Sequence, residues 1–285
     1  MGVSGSKGKH HQYKLNLKRD YHSHEDQYHH FVHDPETTVV DLTPGFPPVY
    51  DQGSLGACTS MSCCAGLHYV AHKQDPTYDE PPSRLFIYYN ERMIQGTVNE
   101  DSGASLRVAV KAAYTYGYCS EFSWPYIIEK FTDKPAQKNY DDAKYRMVLD
   151  YKRVIPTLEQ LVGCLQSGLP FIFGIDVYES FMSDEVAKTG MVPIPDTTKE
   201  KVLGGHALIC CSLSTETKLF KFRNSWGTDW GDSGYGYLPF DYVLNANLAY
   251  DMWAVKVISD GTGPITNPPF NPNRNADPVS DKPSQ

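Results

Sequence analysis

The 285-residue sequence has no apolar run that approaches the roughly 18 residues of a membrane-spanning helix. Its N-terminus also lacks the apolar core that a signal peptide requires. Basic residues are not in surplus either: the formal net charge is -8, whereas binding to nucleic-acid phosphates requires Lys and Arg on at least one face. These absences predict a protein without a membrane or a nucleic-acid partner.

The cysteine spacing typical of a structural zinc site is missing as well. There are seven cysteines, an odd number, and two pairs, Cys63-Cys64 and Cys210-Cys211, are adjacent rather than arranged as Cys-x-x-Cys. A set of free thiols favours the cytoplasm or another reducing compartment. We expect no metal and no organic cofactor.

Both ends of the chain are poor in core-forming residues. Residues 1–38 form a polar extension that holds seven of the ten histidines, with irregular spacings that favour a solvated tail over zinc binding. Residues 259–285 contain six prolines among Gly, Asn and Ser, a composition that predicts a disordered or loosely draped tail.

The region between the two ends changes character near residue 150. The preceding subdomain, 39–149, has long runs without Gly or Pro that predict helices at 58–72, 83–94 and 104–116. The following subdomain, 150–258, has one helix introduced by a Thr157/Gln160 capping box and strand-like runs at 171–177, 207–213, 219–223, 235–238 and 253–258. Helices followed by strands predict an α+β fold with a cleft between the two halves.

A glycine-bearing loop, residues 50–57, runs directly into a predicted helix that begins at Cys58. A helix N-terminus stabilises a thiolate through its partial positive charge and its free N–H groups, so Cys58 is a candidate nucleophile. The Cys58 N–H and the side-chain amide of Gln52, six residues earlier, could both donate to a developing oxyanion.

A proton-transfer partner for this thiol follows far along the chain. His206 comes after Gly204 and Gly205 at the start of an apolar strand, and Asn224 follows the next strand, where its amide could hold the imidazole in one tautomer. Trp226 could shield that hydrogen bond from water. Each signal is weak alone, because a lone Cys or His is usually structural.

Together these segments resemble the papain and cathepsin family of cysteine peptidases. The loop ahead of Cys58, Gly-Gly-His-Ala at 204–207 and Asn-Ser-Trp-Gly-x-x-Trp-Gly at 224–231 appear in family order, and residues 39–258 are covered. The resemblance implies a papain-like two-domain α+β fold, with a helical half, a barrel-like half and the active cleft between them. It also implies hydrolysis of extended polypeptides through a thioester acyl-enzyme, with Cys58, His206, Asn224 and Gln52 as catalytic residues.

The same resemblance implies a set of substrate-binding residues. The segment 101–104 is similar to the family's glycine segment, so Gly103 is expected to pair its main chain with an extended substrate. Tyr250 is expected to close the main specificity pocket, and Trp230 to line the leaving-group side. The substrate-binding set is then Ser102, Gly103, Gly205, Trp230 and Tyr250.

Two departures from the family pattern are visible. Leu55 and Thr59 stand where the family has a disulfide cysteine and an aromatic residue, and the segment ahead of residue 39 is much shorter than the family's inhibitory prosegment. We nevertheless expect that residues 1–36 cover the cleft until removed. Two other functions remain open: a catalytically silent binding protein with the same fold, and an acyl-transferase or ligase in which an amine replaces water. The sequence does not distinguish endopeptidase from exopeptidase activity.

Overall fold

The computed structural model describes residues 13–259, apart from 22 and 25, and residues 261–263. Its α-helices are α1 (Cys58–Gln74), α2 (Arg84–Gln95), α3 (Leu106–Tyr116), α4 (Gln137–Ala143), α5 (Leu158–Gln166), α6 (Asp184–Thr189) and α7 (Phe240–Val243). Its strands are β1 (Val39–Asp41), β2 (Val148–Arg153), β3 (Phe171–Tyr178), β4 (Val202–Ser214), β5 (Leu219–Arg223), β6 (Tyr235–Pro239) and β7 (Ala249–Ile258).

The strands form one antiparallel sheet with the order β2-β7-β3-β4-β5-β6, and β1 pairs with β4. Consecutive strands β3, β4, β5 and β6 are neighbours, whereas the last strand returns to lie between β2 and β3. This return brings Ala249 and Tyr250 beside Ile175 and Gly174 of β3. The centre of the sheet therefore receives residues from chain segments about 75 positions apart.

Helix α1 lies between helices α2 and α3 on one side and the sheet on the other. Every residue from Cys58 to Ala71 is buried, because small and apolar side chains surround the helix on all sides. Helices α2 and α3 cover its outer face and strands β4 and β7 its inner face. The N-terminus of α1 consequently opens between a helical layer and a sheet layer.

The sequence predicted α1, α2, α3, α5 and strands β3 to β7 with differences of a few residues at their ends, whereas the prediction of a single helix after residue 150 was wrong, because the short helices α6 and α7 were missed, as was α4. Ser83 caps α2 and Thr157 caps α5 through side-chain oxygens that accept main-chain N–H groups, as their sequence positions indicated. Strand β4 is longer than predicted, so that His206 lies within the strand rather than at its start. Strands β1 and β2 were missed, because they are short and only partly apolar.

The described part of the N-terminal extension differs from the solvated tail expected from its composition. Leu17 and Phe31 are 8% and 5% exposed and belong to the hydrophobic core. Two apolar anchors separated by thirteen mostly polar residues leave no periodic signal in a sequence. The predicted disorder of 259–285 falls almost entirely outside the described residues.

Two further expectations concern the described residues as a whole. Within them, no cluster of three or more His, Cys, Asp or Glu side chains could hold a metal ion. No helix in the same part of the chain is long and apolar enough to cross a membrane. All seven cysteines are buried and free, the state expected from their spacing.

Candidate active site

Cys58 is the first residue of α1 and is 1% exposed. The loop that precedes it is fixed against the segment after β5: the Gln52 N–H donates to the Ser225 carbonyl at 2.9 Å, and the Gly227 N–H donates to the Tyr50 carbonyl at 3.0 Å. These bonds tie the start of α1 to the Asn-Ser-Trp-Gly segment.

His206 lies in β4, and Asn224 follows directly after the neighbouring strand β5. The His206 Nε2 and the Asn224 Oδ1 are 2.8 Å apart, a distance that fixes the ring orientation and leaves Nδ1 for another partner. The His206 Nδ1 is buried and has no hydrogen-bond partner among the described residues. The indole of Trp226 stacks on the imidazole with ring centroids 4.8 Å apart, so water is excluded from the Asn224 bond.

The strand that carries His206 also meets the thiol of Cys58. The main-chain N–H of Ala207, the next residue after His206, stabilises the anionic form of this sulfur and so lowers its pKa. The N–H groups of Thr59 and Cys58, at the start of α1, act in the same direction. Strand β4 and the N-terminus of α1 thus converge on one sulfur atom.

Burial opposes ionisation of both members of this pair. It raises the pKa of the Cys58 thiol to about 12 and lowers the pKa of His206 to about 4, and the Asn224 hydrogen bond only partly offsets the second effect. Both shifts favour a neutral thiol and a neutral imidazole in the described state. The thiolate and imidazolium expected of an active pair require water or substrate to enter.

Gln52 is fully buried in the loop that precedes Cys58. Its Nε2 donates to the Leu55 carbonyl at 3.0 Å, and its Oε1 accepts from the Ser225 hydroxyl at 2.8 Å. One amide hydrogen remains for another acceptor. Ser225 was not singled out from the sequence, although its place directly after Asn224 in the motif is a signal that could have found it.

The cleft between the two layers is filled by the chain's own residues 15–18. The Leu17 N–H donates to the Gly205 carbonyl and the Gly205 N–H donates to the Leu15 carbonyl, both at 3.2 Å. On the opposite wall, the Lys18 N–H donates to the Ala104 carbonyl at 3.0 Å. Asn16 pairs with Gly205, and Lys18 with Ser105, in parallel register.

Glycines allow this close approach. A Cβ at Gly103 would collide with the main-chain oxygen of Asn16, and a Cβ at Gly56 would collide with the Asn16 side chain. Gly103 also has φ +65°, a conformation that other residues rarely adopt. The two walls of the cleft are thus shaped for a polypeptide main chain.

The residues expected to bind substrate lie at different distances from this segment. Gly205 pairs with it directly, and Tyr250 lies beside Gly174, where its ring and the Leu17 side chain occupy the space that a larger residue would fill. Ser102 instead bonds to Thr97 and to the Gly103 carbonyl. Trp230 is 1% exposed and packs behind Trp226, which is the indole that the segment meets.

Asp101 is a residue that sequence reasoning did not single out as functional. Its carboxylate accepts hydrogen bonds from the Gly56 N–H, from the Tyr88 hydroxyl and from Lys14 of the N-terminal extension. It joins the loop before Cys58 to the glycine segment and to the extension. Its partners lie 13 to 87 positions away, so no local pattern marks it.

Comparison with known proteins gives a consistent result. Residues 41–250 match the model of the papain family cysteine proteases. An uncharacterised peptidase C1-like protein from Acanthamoeba polyphaga mimivirus is 40% identical over 231 residues, which are 78% of this chain and 73% of the relative. Cysteine proteinase 1 from Dictyostelium discoideum is 26% identical over 208 residues, 67% of this chain and 57% of its own length.

Solved structures are similar as well. The crystal structure of xylellain, a cysteine protease from Xylella fastidiosa, has a TM-score of 0.80 and 34% identity, and the match covers 85% of this chain and 96% of xylellain. A digestive procathepsin L from the larval midgut of Tenebrio molitor has a TM-score of 0.61 at 18% identity, over 85% of this chain and 76% of that one, which is a likeness of fold alone.

Proposed function

Because this chain belongs to the papain family of cysteine proteases, we propose that it hydrolyses peptide bonds through Cys58 and that its N-terminal segment, residues 13–36, holds the enzyme inactive. Cys58 attacks the substrate carbonyl, His206 transfers the proton, and Asn224 orients His206. The Gln52 amide and the Cys58 N–H stabilise the oxyanion. The observation that carries this assignment is the convergence of β4, the Asn224 segment and the N-terminus of α1.

The chemistry follows from these positions. With the cleft open, water and substrate reach the pair, and a proton moves from the Cys58 sulfur to the His206 Nδ1. Attack forms a tetrahedral intermediate whose oxyanion accepts a hydrogen bond from the free amide N–H of Gln52. His206 then protonates the leaving amine, and afterwards takes a proton from the water that releases the acyl group.

Occupation of the cleft supports the inhibitory role of the segment. Residues 15–18 use the main-chain groups of Gly205 and Ala104, groups on which an extended substrate would also depend. Substrate cannot enter while they are occupied. Burial favours the neutral, unreactive forms of Cys58 and His206, and we expect the segment to contribute to that burial.

The direction of the segment explains why it is not itself a substrate. His206 protonates the leaving amine, so the C-terminal part of a substrate lies on the His206 side, against Trp226. In the segment that side is occupied by Tyr13, which precedes Leu17 in sequence. The segment therefore runs opposite to a substrate, and its carbonyl groups are presented to Cys58 in the reverse order.

The test uses the full chain. A recognition sequence for a site-specific endoprotease is inserted between Glu36 and Thr37, in an exposed turn, and the folded protein is cut and diluted so that the segment can leave. We expect peptidase activity on a fluorogenic peptide library to appear after the cut and to be absent from Cys58→Ala. Equal activity before and after cutting would contradict the inhibitory role of the segment. Activity that survives Cys58→Ala would contradict the assignment of Cys58 as the nucleophile.

The same assay separates the other two functions left open. A silent binding protein shows no turnover in the cut form. An acyl-transferase produces aminolysis product when an amino-acid amide is added, in preference to the hydrolysis product, because the amine and water compete for one acyl-enzyme.

A further inference from the structure

Beyond the cleft, the segment inserts two carboxylates into a site on the body of the protein. This carboxylate site consists of Arg107 at the start of α3, Arg153 at the end of β2 and Trp253 of β7. Arg153 and Trp253 are paired across the sheet. Both guanidinium groups lie against the indole, the carbon of Arg153 at 4.7 Å and that of Arg107 at 5.5 Å from the ring centroid.

The first carboxylate belongs to Asp20, whose side chain is fully buried. Its Oδ1 accepts from the main-chain N–H of Arg107, in the first turn of α3, at 3.0 Å. Its Oδ2 accepts from the indole Nε1 of Trp253 at 2.8 Å and from Arg153 Nη2 at 3.3 Å. Three donors from three elements thus converge on one carboxylate, a geometry suited to a charged acceptor.

The second carboxylate belongs to Asp26, which is 2% exposed. It meets both terminal nitrogens of Arg107, with Nη2 at 2.9 Å from Oδ2, and Arg153 Nε at 2.9 Å. The bidentate arrangement matches the planar fork of a guanidinium group to the two oxygens of a carboxylate. The site accordingly holds two acidic side chains at once.

Among the described residues outside the segment, Asp251 is the acid that forms an ion pair with a guanidinium group of this site. Asp251 bonds to Arg153 Nη1 at 3.2 Å and accepts the Asp20 N–H at 2.6 Å. When the segment leaves, two guanidinium groups face one carboxylate, a local excess of one positive charge in a chain whose formal net charge is -8. A partly buried cation without its partner is unfavourable, so an empty site favours another anion.

The site is continuous with the cleft. Lys18 is the last residue of the segment that pairs with the cleft wall, and Ser105, its partner, caps α3 two residues before Arg107. Asp20 lies two residues beyond Lys18 and three beyond Leu17, which fills the pocket at Gly174 and Tyr250. A polypeptide extended along the same wall places a side chain at the carboxylate site.

We propose that the carboxylate site binds an acidic residue of the polypeptide substrate, an inference that rests on the proposed peptidase function. The substrate runs opposite to the segment. The acidic residue is therefore three positions N-terminal to the substrate residue that replaces Leu17 in the pocket. The segment's Asp20 and Asp26 occupy this site in advance and block it together with the cleft.

The experiment measures binding first and turnover second. The protein used carries Cys58→Ala, and also D20N and D26N so that its segment leaves. It is cut after folding between Glu36 and Thr37. We then titrate it with two fluorescent peptides. The peptides have Leu as the pocket residue and differ only in Asp or Asn three positions before it. We expect the Asp peptide to bind roughly tenfold more tightly, because hydrogen bonds to a charged acceptor are lost in the other.

Two variants of this protein locate the preference. Trp253→Phe keeps an aromatic ring at this position but removes the Nε1 donor. It should reduce the ratio of the two affinities by about threefold or more. Lys199→Gln removes a positive charge at an exposed position elsewhere and should leave the ratio unchanged. Equal binding of the two peptides, binding of neither, or a ratio that Trp253→Phe leaves unchanged would overturn the proposal.

Turnover of the same peptides by the cut protein with Cys58 intact distinguishes failure of the carboxylate site from failure of the peptidase function. Preferential binding without cleavage keeps the carboxylate site and contradicts the peptidase function. Cleavage of both peptides with equal kcat/KM keeps the peptidase function and contradicts the carboxylate site. Preferential cleavage of the Asp peptide, by roughly tenfold in kcat/KM, supports both.

Discussion

The ring of Tyr13 lies flat on the indole of Trp226, with ring centroids 4.8 Å apart and planes inclined by 4°. The same indole also stacks on the imidazole of His206, with ring centroids 4.8 Å apart. The Tyr13 hydroxyl donates to the Trp226 carbonyl at 3.1 Å. The segment thus closes the leaving-group end of the cleft through one aromatic residue that contacts the candidate base.

Replacement of Tyr13 by Ala should loosen this closure. Loss of an aromatic pair removes about 0.5 to 1.5 kcal/mol, so we expect Cys58 in the uncut chain to react with iodoacetamide about 2 to 12 times faster. The rate is measured by mass spectrometry of the peptide that contains Cys58. Tyr21→Ala is the matched control, since that side chain is 59% exposed. Equal acceleration in both variants would mean that the stacking does not hold the segment.

The protonation of His206 should report the position of the segment. Burial lowers the pKa of His206 to about 4 in the covered state, whereas the value in an unfolded chain is near 6.5. The stability that the neutral ring contributes is therefore complete above pH 6.5 and declines as the pH falls towards 4. In the Cys58→Ala background, NMR titration of the uncut chain should give a midpoint near 4, and cutting after Glu36 should raise it. An identical midpoint before and after the cut would contradict burial by the segment.

We expect the proposed donor role of Gln52 to depend on Ser225. Gln52→Ala should lower kcat of the cut enzyme by about 10² to 10³, since it removes an oxyanion donor. Ser225→Ala keeps the amide but removes the hydroxyl that holds its oxygen at 2.8 Å, so we expect a smaller loss of kcat with KM nearly unchanged. Ser214→Ala, at the far end of β4, serves as the control. A loss from Ser225→Ala that appears only in KM would argue against the positioning role.

A buried acid next to the nucleophile helix should make stability fall with pH. The Thr59 hydroxyl donates to Glu91 Oε2 at 2.7 Å, and burial raises the pKa of Glu91 to about 8 from its usual value near 4.5. The folded protein keeps this acid neutral, so its contribution to stability is complete below pH 4.5 and is lost as the pH rises towards 8.

Glu91→Gln isolates this contribution because the amide has no charge at any of these pH values. Urea unfolding at pH 5 and at pH 8 should show that the wild-type protein loses more unfolding free energy between the two than the variant does. Equal losses in the two proteins would mean that Glu91 is already ionised at pH 5.

The papain-like α+β fold predicted from the sequence is confirmed by the likeness to xylellain. It was predictable because its signals are local: a glycine loop before Cys58, and the Gly-Gly-His and Asn-Ser-Trp-Gly segments. The catalytic assignments were reached from the same short motifs and stay predictions, as do the boundaries of the subdomains.

Long-range relationships were beyond the reach of sequence patterns. Thr59 was recognised as a departure from the family, but its buried partner Glu91 lies on another helix. The packing of Leu17 at Gly174 and the contacts of Asp101 depend on how distant segments fold together. A polar extension with two isolated apolar anchors carries no periodicity that could reveal its binding site.

The shared use of the Gly205 and Ala104 main-chain groups has a kinetic consequence. Under the proposed function one strand position serves both the segment and the substrate, so the two would exclude each other and the tether would make the segment a competitor at a fixed effective concentration. In the uncut protein such a competitor raises the apparent KM above the concentrations used in a fluorogenic assay, so the uncut chain is inactive there even though the limiting kcat is unchanged. Abundant polypeptide would then draw the enzyme into its open state by mass action, before any bond in the chain is cut.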